Sequence, residues 1–111
     1  MTIHTPIRAA LTGATGGIGR SMAFALAPRS ESLLLLGRSA QALNDLRMSL
    51  LVRFPNLTIN CLAGDLLDSG YLKEVSDYAR QNDVNLLVNN AGINEFGAVK
   101  NLDSRATPSL V

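Results

Sequence analysis

The sequence predicts an α/β protein in which about four parallel strands alternate with three helices. Two observations predict this class. Short apolar runs alternate along the chain with segments whose apolar residues recur at helical spacing, and a glycine-rich turn joins the first run to the first such segment. Strands and helices that alternate in this way pair in parallel, because each helix carries the chain back across the sheet in a right-handed crossover.

Four apolar runs predict the strands. The second of them is continuously apolar, as expected of a strand that is covered on both faces of the sheet. The third and fourth lie between the later helical segments and complete the alternation. The runs are Ile7 to Leu11, Ser32 to Leu36, Leu57 to Ala63 and Val84 to Val88.

Three segments with helical periodicity follow the first three strands. The first leaves the glycine-rich turn and stops at Pro28. The second covers Ala40 to Arg53, with Ser39 placed to cap it, and the third covers Ser69 to Gln81. The apolar residues at helical spacing are Ile18, Met22, Ala25 and Leu26 in the first, Leu43, Leu46 and Leu50 in the second, and Leu72, Val75 and Ala79 in the third.

Composition restricts the class of protein. Hydrophobic residues make up 47% of the 111 residues, enough for the core of one domain. The net charge of +1 gives no broad electrostatic footprint for nucleic acid or acidic lipid. The single cysteine, Cys61, excludes an internal disulfide and fits a reducing compartment. No signal peptide, membrane-spanning run or metal-ligand spacing is apparent. We therefore expect a cytoplasmic protein.

The turn after the first strand, Thr12 to Gly19, has the chemistry of a phosphate-binding turn. Glycines let the backbone turn sharply and let a pyrophosphate approach without an obstructing Cβ. The helix that follows directs its N-terminal amides and the positive end of its dipole at the phosphates. Glycines that serve only a tight strand-to-helix turn are the alternative. The candidate pyrophosphate contacts are Gly13, Thr15, Gly16, Gly17, Ile18 and Gly19.

The spacing of these glycines resembles the turn of the short-chain dehydrogenase/reductase family. Thr12, Gly13, Gly17 and Gly19 match the Thr-Gly-x-x-x-Gly-x-Gly pattern of the family's smaller members. The same stretch also resembles the Thr-Gly-x-x-Gly-x-x-Gly turn of the family's extended branch, through Gly13, Gly16 and Gly19. The turn alone therefore leaves a small reductase and a sugar-nucleotide epimerase open.

The segment Asn89-Asn90-Ala91-Gly92, after the fourth predicted strand, resembles the Asn-Asn-Ala-Gly motif of the smaller branch. The resemblance implies that Asn89 braces the sheet and that Asn90, Ala91 and Gly92 pass the adenine ribose. Small residues at the carboxyl end of a strand also leave room for a ligand there. An asparagine-rich turn without a ligand is the alternative, which the matched glycine-rich turn disfavours.

Asp65 and Leu66, after the third predicted strand, are similar to the family's adenine-binding pair. The resemblance implies that the Asp65 carboxylate accepts a hydrogen bond from the adenine amino group and that the backbone amide of Leu66 is the second contact. An aspartate after a strand is also a common loop residue or helix cap. Without the other motifs the two interpretations are level, and with them the ligand interpretation is favoured.

The corner after the second predicted strand, Gly37-Arg38-Ser39, bears on the choice of dinucleotide. A site for NAD usually has an acidic residue here to hold the ribose hydroxyls, and this corner has none. Arg38 offers a planar fork of donors to a 2′-phosphate, and Ser39 can add a hydrogen bond. A solvated arginine near a helix start is the alternative. The sequence favours NADP, and NAD is less expected.

The sequence lacks the family's catalytic pattern, a tyrosine followed by a lysine four residues later. Tyr71 is followed at that distance by Val75, and Tyr78 by Asn82, and both tyrosines lie in the third predicted helix. In the family, the catalytic Ser, Tyr and Lys come from the fifth strand and the helix after it. No residue of this chain is therefore a predicted catalytic residue.

The resemblance covers about residues 1 to 97 and implies a Rossmann-type doubly wound parallel sheet, truncated to about four strands in the order 3-2-1-4. Residues 98 to 111 are expected to form a loosely ordered tail. Complete members of the family oligomerise, but the helices of their usual interface are absent from this sequence. We expect neither nucleic acid nor a membrane as a partner.

Three hypotheses on function remain open. The first is an NADP-linked oxidoreductase of carbonyl and alcohol substrates, represented by its cofactor-binding half and inactive as this chain. The second is a dinucleotide-binding module without catalysis. The third is a non-functional truncated fragment.

Overall fold

The computed structural model describes residues 5–90 and confirms the parallel α/β sheet with three helices. The strand order is β3-β2-β1-β4, and neighbouring strands are parallel. A short 3₁₀ helix, Ala27–Arg29, follows the first helix. Ala91, Gly92 and the predicted tail lie outside the described residues. The elements are β1 (Ile7–Thr12), α1 (Gly17–Leu26), β2 (Ser30–Gly37), α2 (Ala40–Arg53), β3 (Thr58–Ala63), α3 (Ser69–Gln81) and β4 (Leu86–Asn89).

The parallel arrangement brings the carboxyl ends of the four strands to one edge of the sheet. Thr12 at the end of β1 pairs with Asn89 at the end of β4. Gly37 at the end of β2 pairs with Ala63 at the end of β3. In open parallel sheets, ligands bind in the crevice outside this edge. The residues that follow each strand are therefore the ones to consider for a site.

Helices α1 and α2 cover one face of the sheet. The predicted stripe of α2 is confirmed, because Leu43, Leu46 and Leu50 are all buried in the cluster that includes Leu33 and Leu35 of β2. These leucines recur at the spacing that places them on one side of a helix. The stripe fixes α2 against β2 and β3.

α1 meets the sheet through the small residue Ala23, and two of the residues at helical spacing, Met22 and Leu26, pack against the same core. Ala23 is fully buried, whereas Met22 and Leu26 are half-buried. Ile18 is 58% exposed, and Ala25 is exposed as well. The spacing of Ile18 and Ala25 therefore does not mark a buried face. A helix that approaches a sheet closely has room only for small side chains at the contact.

α3 covers the opposite face and presents a different side to it than its spacing predicts. Tyr71 is buried there, and Val75 and Tyr78 pack against the same cluster. Leu72, which the spacing placed on this face, is 45% exposed. The Tyr71 hydroxyl donates to the backbone oxygen of Leu62 at 2.7 Å, so the large ring can be buried with its polar end satisfied.

β4 begins at Leu86, later than the predicted start at Val84. Asp83 has a left-handed backbone, with φ of 54°. Asn85 then bonds to β1 partly through its side chain, since its Oδ1 accepts from the Arg8 N–H at 2.9 Å while its own N–H donates to the Arg8 oxygen at 2.8 Å. A regular ladder starts only after this residue.

One close contact sets the distance between α1 and the sheet. A Cβ at Gly19 would overlap the carbonyl oxygen of Gly13 and would lie 2.8 Å from its carbonyl carbon. Every other amino acid would force the helix away from the turn that precedes it. Gly17 differs, because no heavy atom lies within 4 Å of its Cβ position.

Truncation of the α2 stripe should destabilise the fold. We expect Leu50→Ala to lower the free energy of unfolding by about 2–5 kcal/mol, because it leaves a cavity in a fully buried position. Leu67→Ala is the matched control: Leu67 is 73% exposed, so the change should stay within about 0.5 kcal/mol. Urea unfolding followed by circular dichroism measures both, and equal losses would contradict the assigned core.

The two helix glycines should respond in opposite ways to the same added methyl group. We expect Gly19→Ala to cost about 1–3 kcal/mol of stability, because the backbone must move to accept the Cβ. Gly17→Ala should be neutral or stabilising by up to about 1 kcal/mol, because its Cβ meets open space and alanine lowers the entropy of the unfolded chain. Thermal and urea unfolding of the two variants decide the matter, and a tolerated Gly19→Ala would refute the close contact.

Candidate functional site

Gly13 holds the glycine-rich turn in a left-handed conformation. Its φ is 61°, in the region that favours glycine. Its carbonyl oxygen accepts from the N–H of Gly16 at 3.3 Å and from Nδ2 of Asn90 at 3.1 Å. The N–H of Ala14 donates to the Leu36 oxygen at 3.1 Å. The turn is therefore hydrogen-bonded to the ends of both neighbouring strands of β1.

The N-terminus of α1 is chemically suited to an anion. Gly16 is the N-cap, and within residues 5–90 no side chain caps the helix and no acidic residue lies in its first turn. Thr15, Gly16, Gly17 and Ile18 are exposed, and the space beside Gly17 is open. Backbone amides at a helix start and the positive end of its dipole attract negative groups. A pyrophosphate fits these groups in charge and in space.

The corner after β2 combines a cation with a hydroxyl group. Arg38 and Ser39 are both exposed. Ser39 Oγ accepts from the N–H of Ala42 at 3.1 Å, which confirms the predicted cap of α2. The hydroxyl proton of Ser39 remains to be donated elsewhere. A Cβ at Gly37 would lie 3.7 Å from Oγ1 of Thr15, so this corner adjoins the glycine-rich turn.

The loop after β3 holds Asp65 in a hydrogen-bonded turn. Its Oδ1 accepts from the N–H of Leu67 at 2.9 Å, and its backbone oxygen accepts from the N–H of Asp68 at 2.9 Å. The loop role that the sequence left open for Asp65 is thus realised. Because a carboxylate has room for several donors, this turn does not use up its capacity. Leu66 is half-buried against the α3 face of the sheet.

Asn89, which ends β4, and Asn90, which follows it, have separate structural roles. Oδ1 of Asn89 accepts from the Thr12 hydroxyl at 2.7 Å, which links β4 to β1. Asn90 is 3% exposed, and its side chain donates to the Gly13 oxygen. Both asparagines therefore tie the end of β4 to the glycine-rich turn.

Two glycines bring the strand ends together: Gly37, which the sequence indicated only as part of the corner after β2, and Gly64, which sequence reasoning missed. The N–H of Gly64 donates to the oxygen of Gly37 at 2.9 Å, which continues the β2–β3 ladder to the edge of the sheet. A Cβ at Gly37 would come within 3.3 Å of Leu43 of α2. Their signal was present, because a glycine at the end of a strand often marks a close approach of other groups.

The remaining candidates for chemistry within the described residues have structural partners. Tyr71 donates to Leu62, and the Tyr78 hydroxyl accepts from Nδ2 of Asn60 at 2.6 Å. Cys61 is half-buried with its Sγ 3.6 Å from the Leu43 oxygen, and burial raises the pKa of its thiol. A neutral thiol is a poor nucleophile.

Features away from the strand ends add little to the site. An open groove of about 430 Å³ lies between β3 and α3, and no candidate site residue lines it. Across residues 5–90, no three His, Cys, Asp or Glu side chains come together as a metal site would need. In the same part of the chain, every helix is too short or too polar to cross a membrane.

Comparison with known proteins gives a consistent set of relatives. A family model described as short chain dehydrogenase matches residues 8–111. The very-long-chain 3-oxooacyl-coA reductase let-767 of Caenorhabditis briggsae is 33% identical over 88 residues, and the short-chain dehydrogenase TIC 32 A, chloroplastic, of Brassica napus is 34% identical over 92 residues. These matches cover 77% and 78% of this chain but only 28% of each relative.

Solved structures give the same result for the fold. The L-sorbose reductase of Gluconobacter frateurii, solved with NADPH and L-sorbose, is similar with a TM-score of 0.70 at 26% identity, over 83% of this chain and 36% of that one. A short-chain dehydrogenase of Sphingobium yanoikuyae, solved with NADPH, gives 0.64 at 28% identity, over 73% and 32% of the two chains. The chain therefore belongs to the short-chain dehydrogenase family.

Proposed function

We propose that the four strand ends of this chain bind NADP, and that the chain carries the cofactor-binding part of an NADP-linked oxidoreductase of carbonyl and alcohol substrates. The observation that carries the proposal is the uncapped N-terminus of α1, held behind the left-handed Gly13 with no acid in its first turn. Bound NADP supplies the chemistry of the family, the transfer of a hydride to or from carbon. The residues of this chain bind and orient that cofactor.

The glycine-rich turn takes the pyrophosphate in this proposal. The backbone amides of Gly17, Ile18 and Gly19 stand at the start of α1, where donors and dipole favour an anion, and Gly16 is the N-cap whose own N–H donates to the Gly13 oxygen. Thr15 is exposed beside them and adds a hydroxyl donor. Gly13 fixes the turn, because its carbonyl accepts two hydrogen bonds.

Arg38 and Ser39 select the phosphorylated cofactor in this proposal. The guanidinium presents several donors in one plane, which matches a phosphate better than it matches a ribose hydroxyl. Ser39 can donate its hydroxyl proton while Oγ still accepts from α2. A carboxylate that would favour the unphosphorylated ribose is absent from this corner of the sequence.

Asp65, Leu66 and Asn90 define the adenosine end in this proposal. The Asp65 carboxylate accepts from the adenine amino group, and the Leu66 amide donates to the ring. Asn90, with Ala91 and Gly92 beyond the described residues, passes the ribose. Two similar proteins were solved with NADPH, which supports the same cofactor here.

The sequence favours binding without catalysis for the 111 residues by themselves. Neither Tyr71 nor Tyr78 is followed by a lysine four residues later, and both hydroxyls have structural partners. We therefore expect the chain to hold NADPH without transferring its hydride. A fragment that binds no dinucleotide is the competing hypothesis.

Titration of the full chain with NADPH separates these two hypotheses. We expect saturable binding at one site per chain, followed by the change in NADPH fluorescence or by calorimetry. ADP-ribose 2′-phosphate should compete, because it carries all the groups that these residues contact. A chain that is folded by circular dichroism yet binds neither NADPH nor NADH would refute the proposal.

Removal of the arginine at the β2 corner should change the choice of cofactor. We expect Arg38→Ala to weaken NADPH binding by about 10- to 100-fold, the equivalent of a hydrogen-bonded charge contact, and to leave NADH binding almost unchanged. The two titrations are made on the same preparation. An equal loss for both cofactors would exclude Arg38 as the 2′-phosphate residue.

Arg53→Ala is the matched control for this experiment. It removes the same charge at the other end of α2, where Arg53 stacks on Phe24 and Phe54 at 5.7 and 5.5 Å. The two ends of α2 are roughly 20 Å apart, at 1.5 Å per residue. NADPH affinity should therefore stay within about twofold in Arg53→Ala, since charges this far apart are largely screened.

A further inference from the structure

Gly64 has an aromatic ring in the space that a side chain would occupy. A Cβ built there would overlap Cδ1 of Tyr71 and would lie 2.6 Å from Cγ and 2.7 Å from Cε1. The ring therefore rests directly on the backbone of Gly64. This contact joins the first turn of α3 to the residue that immediately precedes Asp65.

The ring that makes this contact is itself firmly held. Tyr71 is 5% exposed, and its hydroxyl donates to the Leu62 oxygen at 2.7 Å. Burial, with a smaller effect of the nearby Glu74 carboxylate, raises the pKa of Tyr71 to about 12. The phenol is therefore protonated and remains a donor at any ordinary pH. The ring cannot move without breaking a buried hydrogen bond.

Gly64 connects the buried Tyr71 ring to two parts of the proposed site, the corner after β2 and the loop that holds Asp65. Its N–H donates to the oxygen of Gly37, the residue before Arg38. On its other side the chain continues into Asp65, whose turn closes on Asp68 at the cap of α3. The loop from Gly64 to Asp68 is thus fixed at its start by β2 and the Tyr71 ring, and at its end by α3.

We propose that Tyr71 is a positioning residue for adenine recognition, acting through its ring on Gly64 to set the position of the Asp65 carboxylate and the Leu66 amide. This inference rests on the proposed cofactor site. Tyr71 touches no cofactor in it. The two residues act through their shapes. Gly64 has no side chain, the Tyr71 ring occupies the space that a side chain would take, and this contact holds the loop in one position.

The test measures discrimination between two cofactors that differ only at the adenine amino group. NADPH has this group, whereas its purine analogue has a hydrogen atom on C6 in its place, keeps N1 as an acceptor and cannot donate to Asp65. We expect the full wild-type chain to bind the analogue about tenfold more weakly, the effect of one hydrogen bond to a charged group. In Gly64→Ala the two affinities should become equal within about twofold, because only NADPH has the Asp65 contact to lose, while a loss at the Leu66 amide weakens both cofactors.

Two further variants separate positioning from general damage. Tyr71→Phe keeps the ring and should keep the discrimination between NADPH and the analogue. Gly64→Ala combined with Tyr71→Leu makes room for the new Cβ and should recover at least part of it. Where Gly64→Ala does not fold by circular dichroism, Tyr71→Leu alone carries the same expectation, because it releases the loop without overlap.

The outcomes keep this inference distinct from the proposed function. A wild-type chain that binds neither cofactor refutes the proposed function. A wild-type chain that binds both equally leaves cofactor binding intact and overturns the inference. Gly64→Ala that retains the tenfold preference, or that weakens both cofactors by the same factor, also overturns it, since a merely structural contact would act on the two without distinction.

Discussion

The carbonyl group of Gly13 is the point on which the rest of the site depends. It accepts from Gly16 within the turn and from the Asn90 side chain across the sheet edge, and it leaves no space for a Cβ at Gly19. Three elements thus meet at one oxygen: the end of β1, the start of α1 and the segment after β4. Gly13 also has a left-handed φ of 61°, a conformation that glycine adopts without strain.

This arrangement has a cost in stability that the rest of the fold must offset. Glycines lose more backbone entropy on folding than other residues, and the close approach of α1 leaves it with little apolar area at its contact. Ala23 is the largest fully buried residue of α1, whereas α2 buries three leucines. The two helices therefore differ in the size of the side chains that they bury. α1 buries small residues and presents its N-terminus at the sheet edge, whereas α2 supplies leucines to the core.

The sequence predicted the architecture well because the relevant signals were local. Helices α2 and α3 begin and end at the predicted residues, and Ser39 caps α2 as expected. The strand order was an implication of the resemblance, and the pairing of β1 with both β2 and β4 confirms it. Helix caps, hydrophobic periodicity and short motifs all depend on residues that are close together in the sequence, so they can be recognised without the structure.

The errors concern packing contacts between different elements of the chain. The buried face of α3 was predicted from Leu72, Val75 and Ala79. Val75 does pack there, but the buried residue of the helix is Tyr71, because Gly64 leaves room for its ring. No pattern within the helix could indicate this, since the cause is a missing side chain on the loop after β3. Asp65 shows the same limit: its own sequence context allowed a turn and a ligand contact, and the structure provides the turn without excluding the contact.

Cofactor recognition, under the proposed function, separates into a backbone part and a side-chain part. The pyrophosphate region depends on amides and on the absence of Cβ atoms, so it can hold any dinucleotide of this shape. The choice among dinucleotides depends on Arg38 and Asp65, which follow β2 and β3 and are linked through the Gly37–Gly64 hydrogen bond. A change that loosens the loop after β3 acts directly on the adenine contact. It reaches the 2′-phosphate corner indirectly, through the Gly37–Gly64 hydrogen bond and the pairing of β2 with β3. Selectivity for the base and selectivity for the phosphate are therefore separable by mutation, although both are built on the same two strand ends.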